Sequence, residues 1–283
     1  MKIVFFGTPD YVLPVLTNLH KKFVTGPGKS PIAAVVTQSP KPSGRDQKLT
    51  YTAVDKWAHE HKIDTFYQSS DLLKGKIDAD VGVLAAYGEI IKDEVIKLFP
   101  HGILVIHPSL LPKYRGASPI QNAIANGEVK TGVSIIKMHE KVDYGPIVSQ
   151  FKEEITPTDT NDTLRTRLFE RSAEVIVEMI EPYLQGKIKP KEQDHKEATQ
   201  TSIITRQDGF IDLDKATPEE VERKIRAMEP WPQAWTLFNG KRVKLLKAHL
   251  EEGKLILDEV QLEGKNPVTG KQFAEAYPSF RQS

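Results

Sequence analysis

The chain has 283 residues, of which 39% are hydrophobic and 27% charged, an ordinary globular composition whose length suits two domains or one large one. It contains no cysteine, which excludes disulfides, thiolate metal sites and thiol catalysis and fits a reducing, cytoplasmic setting. The net charge of +1 lacks the excess of a domain that binds nucleic acid over its whole surface, so any polyanion must be met by local patches.

The N-terminal stretch KIVFFG (2–7) reads as a buried strand. A signal peptide would need a longer apolar core, and no apolar run approaches the roughly 20 residues of a membrane span. Val12, Val15, Leu16 and Leu19 then recur at helical spacing, with Pro14 tolerated in the first turn. IAAVV (32–36), DVGVLAAYG (80–88) and ILVIH (103–107) are further apolar runs, separated by a helix over 50–62 and a short one near 92–99. Fully apolar runs alternating with amphipathic helices imply a parallel sheet covered on both faces. ASPIQNAIANG predicts a helix closed by Gly127, GVSIIKM (132–138) and PIVSQFKEEI (146–155) predict strands, and 160–185 a long helix with Leu164, Leu168, Val175, Ile176 and Ile180 inward.

KIKPKEQDHKEATQ (187–200) is polar and without period, which reads as part of a linker spanning 187–204. Residues 1–186 would then form the first domain and 205–283 the second. The second unit carries a helix start at Thr217-Pro218-Glu219-Glu220 with a capping box. Asn239-Gly240 lies between two extended runs and predicts a tight hairpin in a small barrel-like module.

Most chemical motifs are ruled out. Gly7-Thr8-Pro9-Asp10 lacks the later glycines of a dinucleotide fingerprint, and no Walker-type loop is present. His59 and His61 are two apart on a helix and face different ways, so they make no metal pair and are read as surface residues. Ser109 lacks the Gly-x-Ser-x-Gly elbow of a serine hydrolase. His107 differs because it ends a strand at the carboxyl edge, where open α/β sheets bind ligands. Asp143 sits in a Gly-closed loop between two strands, also at a sheet edge. A carboxylate beside an imidazole fixes the tautomer and holds a proton on the ring. Such a pair suits acyl-type transfer, in which an amine loses a proton and a tetrahedral oxyanion is stabilised.

With these residues in view, "IHPSLLPKYRGASPIQNAI" resembles the signature of the 10-formyltetrahydrofolate-dependent formyltransferases, and "KVDYGPI" resembles their second motif. "FFGTPDYVLPVL", "TQSPKPSGRDQKLTYTAVDKWA", "LAAYGEIIKDEVI" and "KIRAMEPWPQAWTLFNGKRVKLLKA" resemble the methionyl-tRNA formyltransferase family, in family order over nearly the whole chain. The resemblance implies a Rossmann-like α/β formyltransferase domain, a linker and a smaller C-terminal barrel-like (OB-type) domain that helps hold tRNA and is shorter here than usual. It implies formyl transfer from 10-formyltetrahydrofolate to the α-amine of methionyl initiator tRNA by a cytoplasmic monomer, without metal or membrane. His107 and Asp143 are carried over as catalytic. Ser109, Leu110, Leu111 and Pro112, with the main chain around Tyr87 and Gly88, are carried over as folate-contacting. Lys41, Arg45 and Lys48 fall in the loop that meets the tRNA acceptor arm. One position departs from the pattern: Val105 stands where the family has an asparagine whose amide holds the formyl oxygen. Two alternatives follow, an amino-sugar-nucleotide N-formyltransferase that shares the histidine and aspartate motifs, and a folate- or tRNA-binding protein impaired in turnover by Val105.

Overall fold

The computed structural model describes residues 1–26, 28–43, 47–75 and 77–280. In chain order the first half contains β1 (Ile3–Gly7), α1 (Leu13–Phe23), β2 (Ile32–Val36), β3 (Lys41–Ser43), β4 (Lys48–Thr50), α2 (Ala53–Glu60), β5 (Asp64–Phe66), β6 (Val81–Ala85), α3 (Asp93–Ile96) and β7 (Ile103–His107). β8 (Arg115–Gly116), α4 (Pro119–Ala125), β9 (Lys130–Lys137), β10 (Ile147–Glu154) and α5 (Asn161–Leu184) follow. β11 (Gln200–Thr201), α6 (Pro218–Ala227), β12 (Ala234–Phe238), β13 (Lys241–Glu251), β14 (Lys254–Leu262), β15 (Val268–Thr269) and α7 (Gly270–Ala276) complete it.

The main sheet has the order β10-β9-β7-β6-β1-β2-β5. β1 runs parallel to both β2 and β6, β2 to β5, and β6 to β7. β9 then pairs antiparallel to β7, with His107 opposite Ser134. The expected parallel sheet is therefore a five-stranded parallel run extended by two further strands, β9, antiparallel to β7, and β10 beyond it. All five residues of β1 and of β7 are buried, which is why both read as unbroken apolar runs. Phe6 packs edge-on against Tyr87 and Phe99, with ring centroids 5.9 and 6.0 Å apart. The chain order reverses at β1, between β2 and β6, so the loops after β1, β6 and β7 meet at the edge where such sheets bind ligands.

The helices obey local rules. α1 keeps Pro14 in its first turn and buries Val15, Leu16 and Leu19. α2 starts at Thr52, whose hydroxyl accepts from the Asp55 N–H at 3.1 Å. α5 buries Leu164, Leu168, Ile176 and Ile180, while Val175 is only half-buried.

Two compact units emerge, and neither is a single stretch of chain. The first comprises Met1–Arg115, Gly132–Lys152 and Thr166–Thr199, while the second joins Gly116–Thr131 and Glu153–Arg165 to the chain from Gln200 onward. Side chains explain the grouping within the second unit. Arg223 donates to the Ala125 carbonyl at the end of α4 (3.3 Å), and Arg226 and Asn161 bond to the carbonyls of Asp159 and Glu229. Residues 187–199, expected as linker, belong to the first unit.

The second unit holds an antiparallel sheet in the order β12-β13-β14-β15. Its core joins Ile211, Val221, Ile225, Val243, Leu245, Val260 and Phe273. Asn239 (φ +49°) and Gly240 (φ +75°) turn β12 into β13, the two left-handed residues that a type I′ hairpin requires. Thr217 and Glu220 form the expected capping box ahead of α6.

Candidate active site

His107 is the last residue of β7 and is 5% exposed. Its Nδ1 lies 3.4 Å from Asp143 Oδ2, and its Nε2 lies 2.9 Å from the Tyr114 carbonyl oxygen. The two sequence candidates, 36 residues apart, thus meet at one sheet edge. A carbonyl only accepts, so Nε2 carries the proton of that bond while the carboxylate faces the other nitrogen. Asp143 sits at φ +52°, in the left-handed region, in the loop between β9 and β10. That turn aims its carboxylate at the histidine.

The loop after His107 is stiff for reasons beyond its prolines. Ser134 of β9 is fully buried; its hydroxyl donates to the Ser109 carbonyl (2.7 Å) and accepts from the Leu111 N–H (3.0 Å). Gln150 on β10 donates to that hydroxyl and to the Leu111 carbonyl, at 2.7 and 3.1 Å. Ser109 is 1% exposed and donates to the Lys113 carbonyl at 2.7 Å. Its hydroxyl is therefore structural, and Leu111 is buried as well. The loop offers a ligand Leu110, Pro112 and main chain. After β6, Ala86 (φ +47°) and Gly88 (φ +86°) turn the chain sharply. Tyr87 points into the core, where burial and the Glu89 carboxylate push its hydroxyl up to about 12. Only the Tyr87 main chain remains for a ligand, and its carbonyl already accepts from Thr8 at 3.0 Å.

A second layer lies behind the pair. Arg115 is 3% exposed and Gln193 6%. Gln193 Nε2 donates to the carbonyls of Asp143 (2.8 Å) and Gly145 (2.7 Å), while its Oε1 accepts from Arg115 Nη2 (2.6 Å) and Nε (3.2 Å). Arg115 Nη2 also donates to His195 Nδ1 at 2.8 Å, and the His195 ring stacks on Tyr144 at 3.7 Å. Arg115 lies over the Tyr144 ring at 4.8 Å. Lys191 exchanges backbone hydrogen bonds with Ile147, and the Thr199 carbonyl accepts from the Arg115 N–H. Residues 191–199 therefore strap the β9–β10 loop to the end of the loop after β7. Sequence reading missed Gln193 and His195, because a polar stretch without period carries no local sign of burial.

Val105 lies on the same face of β7 as His107 and packs with Leu111 and Ile136. Lys41 and Lys48 are exposed on the β3–β4 hairpin, in which Lys41 pairs with Thr50 and Ser43 with Lys48. Lys41 and Lys48, expected in a loop, thus lie on short strands, and Arg45 lies outside the described residues. His61 stacks on Trp57 at 4.0 Å and bonds to its carbonyl, and His59 is exposed. Among the described residues, no group of three or more His, Cys, Asp or Glu could hold a metal ion, and no helix is long and apolar enough to cross a membrane.

The chain as a whole has relatives among known proteins. The Formyl transferase family profile matches residues 1–180, and the profile of the formyl transferase C-terminal domain matches 203–255. The methionyl-tRNA formyltransferase of Thermotoga neapolitana is 42% identical over 254 residues, covering 88% of this chain and 79% of that one. The chain belongs to the methionyl-tRNA formyltransferase family. Among solved structures, methionyl-tRNA formyltransferase from Clostridium thermocellum superposes with a TM-score of 0.63 at 22% identity, covering 95% of this chain and all of that one. An N-formyltransferase from Helicobacter canadensis, in complex with folinic acid and dTDP-3-aminofucose, gives 0.68 at 19%, covering 91% and 95%. These two likenesses, both under 25% identity, show the shared fold.

Proposed function

We propose that this protein transfers the formyl group of 10-formyltetrahydrofolate to the α-amine of methionyl initiator tRNA. The observation that carries the reading is the His107–Asp143 pair, set at the sheet edge beside the pinned 109–112 loop in a chain of this family. The amine attacks the formyl carbon and a C–N bond forms. The carbonyl oxygen becomes an oxyanion. The bond from N10 of the folate to that carbon then breaks, and a proton lost by the amine ends on N10. The His107 Nε2–H, exchanging the Tyr114 carbonyl for the substrate, donates to the oxyanion, while the Asp143 carboxylate orients the ring from its Nδ1 side. A preoriented donor in a site screened from water is worth far more than one in solution. Leu110, Pro112 and the main chain of Ser109–Pro112, with the Tyr87–Gly88 main chain, form the folate pocket, and Lys41, Arg45 and Lys48 meet the acceptor arm. The absence of cysteine fits action in the cytoplasm, and we read the protein as a monomer.

The amino-sugar reading rests on the shared fold, whereas "KPSGRDQKLT" and the 42% identity favour the tRNA acceptor. The deciding assay incubates the protein and 10-formyltetrahydrofolate with methionyl initiator tRNA or with a dTDP-amino sugar, and counts formylated product. Formyl-methionyl-tRNA with no formylated sugar is expected. The reverse result would replace the acceptor, and folate binding without transfer to either would leave only a binding protein.

A further inference from the structure

We infer that Gln193 is a positioning residue for formyl transfer: its side-chain amide sets where Asp143 stands against His107. The inference rests on the activity proposed above and goes beyond it. Asp143 sits in a left-handed backbone conformation in a loop outside the strands on either side, so neighbours must hold it there. On one side Gly145 approaches so closely that a Cβ there would lie 1.8 Å from the Lys137 carbonyl oxygen. On the other, a single nitrogen, Nε2 of Gln193, draws in the carbonyls of both Asp143 and Gly145. The amide that does this is itself fixed, because its oxygen takes two bonds from Arg115. With two donors used and the acceptor doubly used, the Gln193 amide has one orientation.

Arg115 closes the loop that begins at His107, and Asp143 belongs to the loop between β9 and β10. The Gln193 side chain therefore joins the two loops that carry the pair. The Nδ1–Oδ2 distance of 3.4 Å is at the outer edge of a hydrogen bond, where a small shift of the loop makes or breaks it. Gln193 bonds to the backbone of the Asp143 loop and to Arg115 rather than to the side chains of the pair, so it acts on rate through geometry.

Two substitutions separate its halves. Gln193→Glu keeps the acceptor for Arg115 but removes both donors and sets a carboxylate against two carbonyls. Gln193→Leu removes both halves. Each is expected to lower kcat by about 10- to 100-fold. The KM values for the folate and for methionyl-tRNA should stay within about twofold. A substrate-free readout accompanies the kinetics: nitrogen NMR of histidine-labelled protein should show the His107 ring resonances shifted in the folded Gln193→Glu protein. Unchanged His107 resonances, or a loss confined to KM, would overturn the inference. So would a Gln193→Glu protein that does not fold, which would assign Gln193 to stability alone. Should the unsubstituted protein transfer no formyl group to methionyl-tRNA, the proposed activity fails, while the resonances still decide the role of Gln193.

Discussion

Val105 and His107 leave the same face of β7, two residues apart, so a side chain at 105 is directed toward the space in front of the histidine. At 9% exposed, Val105 packs against Leu111 of the pinned loop and Ile136 of the neighbouring strand. The resemblance read from the sequence implies an asparagine amide here, and valine matches its shape but donates nothing. Val105→Asn is therefore expected to raise kcat by about 100-fold, the value of one oxyanion donor. Folate and tRNA affinities should change little, because that contact strengthens only as the oxyanion develops. If the amide instead meets only Leu111 and Ile136, it is buried without partners and costs about 1–3 kcal/mol of stability. Measuring kcat together with the melting temperature distinguishes these. A stable Val105→Asn protein with no gain in rate would show that position 105 does not hold the formyl oxygen.

Among the elements, those written in local rules were legible. The hairpin at Asn239-Gly240, the cap at Thr217 and the buried strands β1, β6 and β7 all follow from turn chemistry, capping and apolar runs. His107 was reachable because it ends a buried strand, and Asp143 because it lies in a Gly-closed loop between two strands. β5 was not, since Asp64–Phe66 is three residues long and only half-buried at best, so it has no apolar run to show. Gln193 was not, since its burial is conferred by Arg115 and by a loop 48–50 residues earlier in the chain. α1 and α2 yield a further expectation. His20, in the last turn of α1, bonds to Ser30 Oγ at 3.1 Å and lies edge-on to Trp57 and His61, 5.4 and 5.0 Å away. Burial, and then the neighbouring His61, hold its imidazole below its ordinary 6.5. As pH falls through 6.5 the unfolded chain takes up this proton before the folded one does. Stability is thus intact above that value and declines below it, until the folded ring also protonates. The melting temperature should fall between neutral and mildly acidic pH, and His20→Gln should flatten the fall. Identical pH slopes for both proteins would assign the decline to other groups.

Across the whole molecule, 39 basic side chains almost cancel 38 acidic ones, yet the proposed acceptor is a polyanion. Binding then depends on where the cations stand rather than on how many there are. Lys41 and Lys48 sit exposed on the two strands of a hairpin, beside exposed Leu49 and Tyr51. Lys41 also reaches Gln38 Oε1 at 3.3 Å, a contact weak enough to exchange for a phosphate. A lysine that neutralises a phosphate releases a counterion, so each such contact contributes about 0.7–0.9 to the slope of log affinity against log salt. Replacing both lysines by alanine should raise the Kd for methionyl-tRNA most strongly at low salt and flatten that slope by between one and two units on this scale. The KM for 10-formyltetrahydrofolate should not move, because the hairpin is separate in sequence and element from the 109–112 loop. Titrations of the parent and the double variant at several salt concentrations, with folate kinetics alongside, test both halves. An unchanged slope with unchanged Kd would place the tRNA contact elsewhere on the molecule, and a raised folate KM would mean that the hairpin shapes the donor pocket instead.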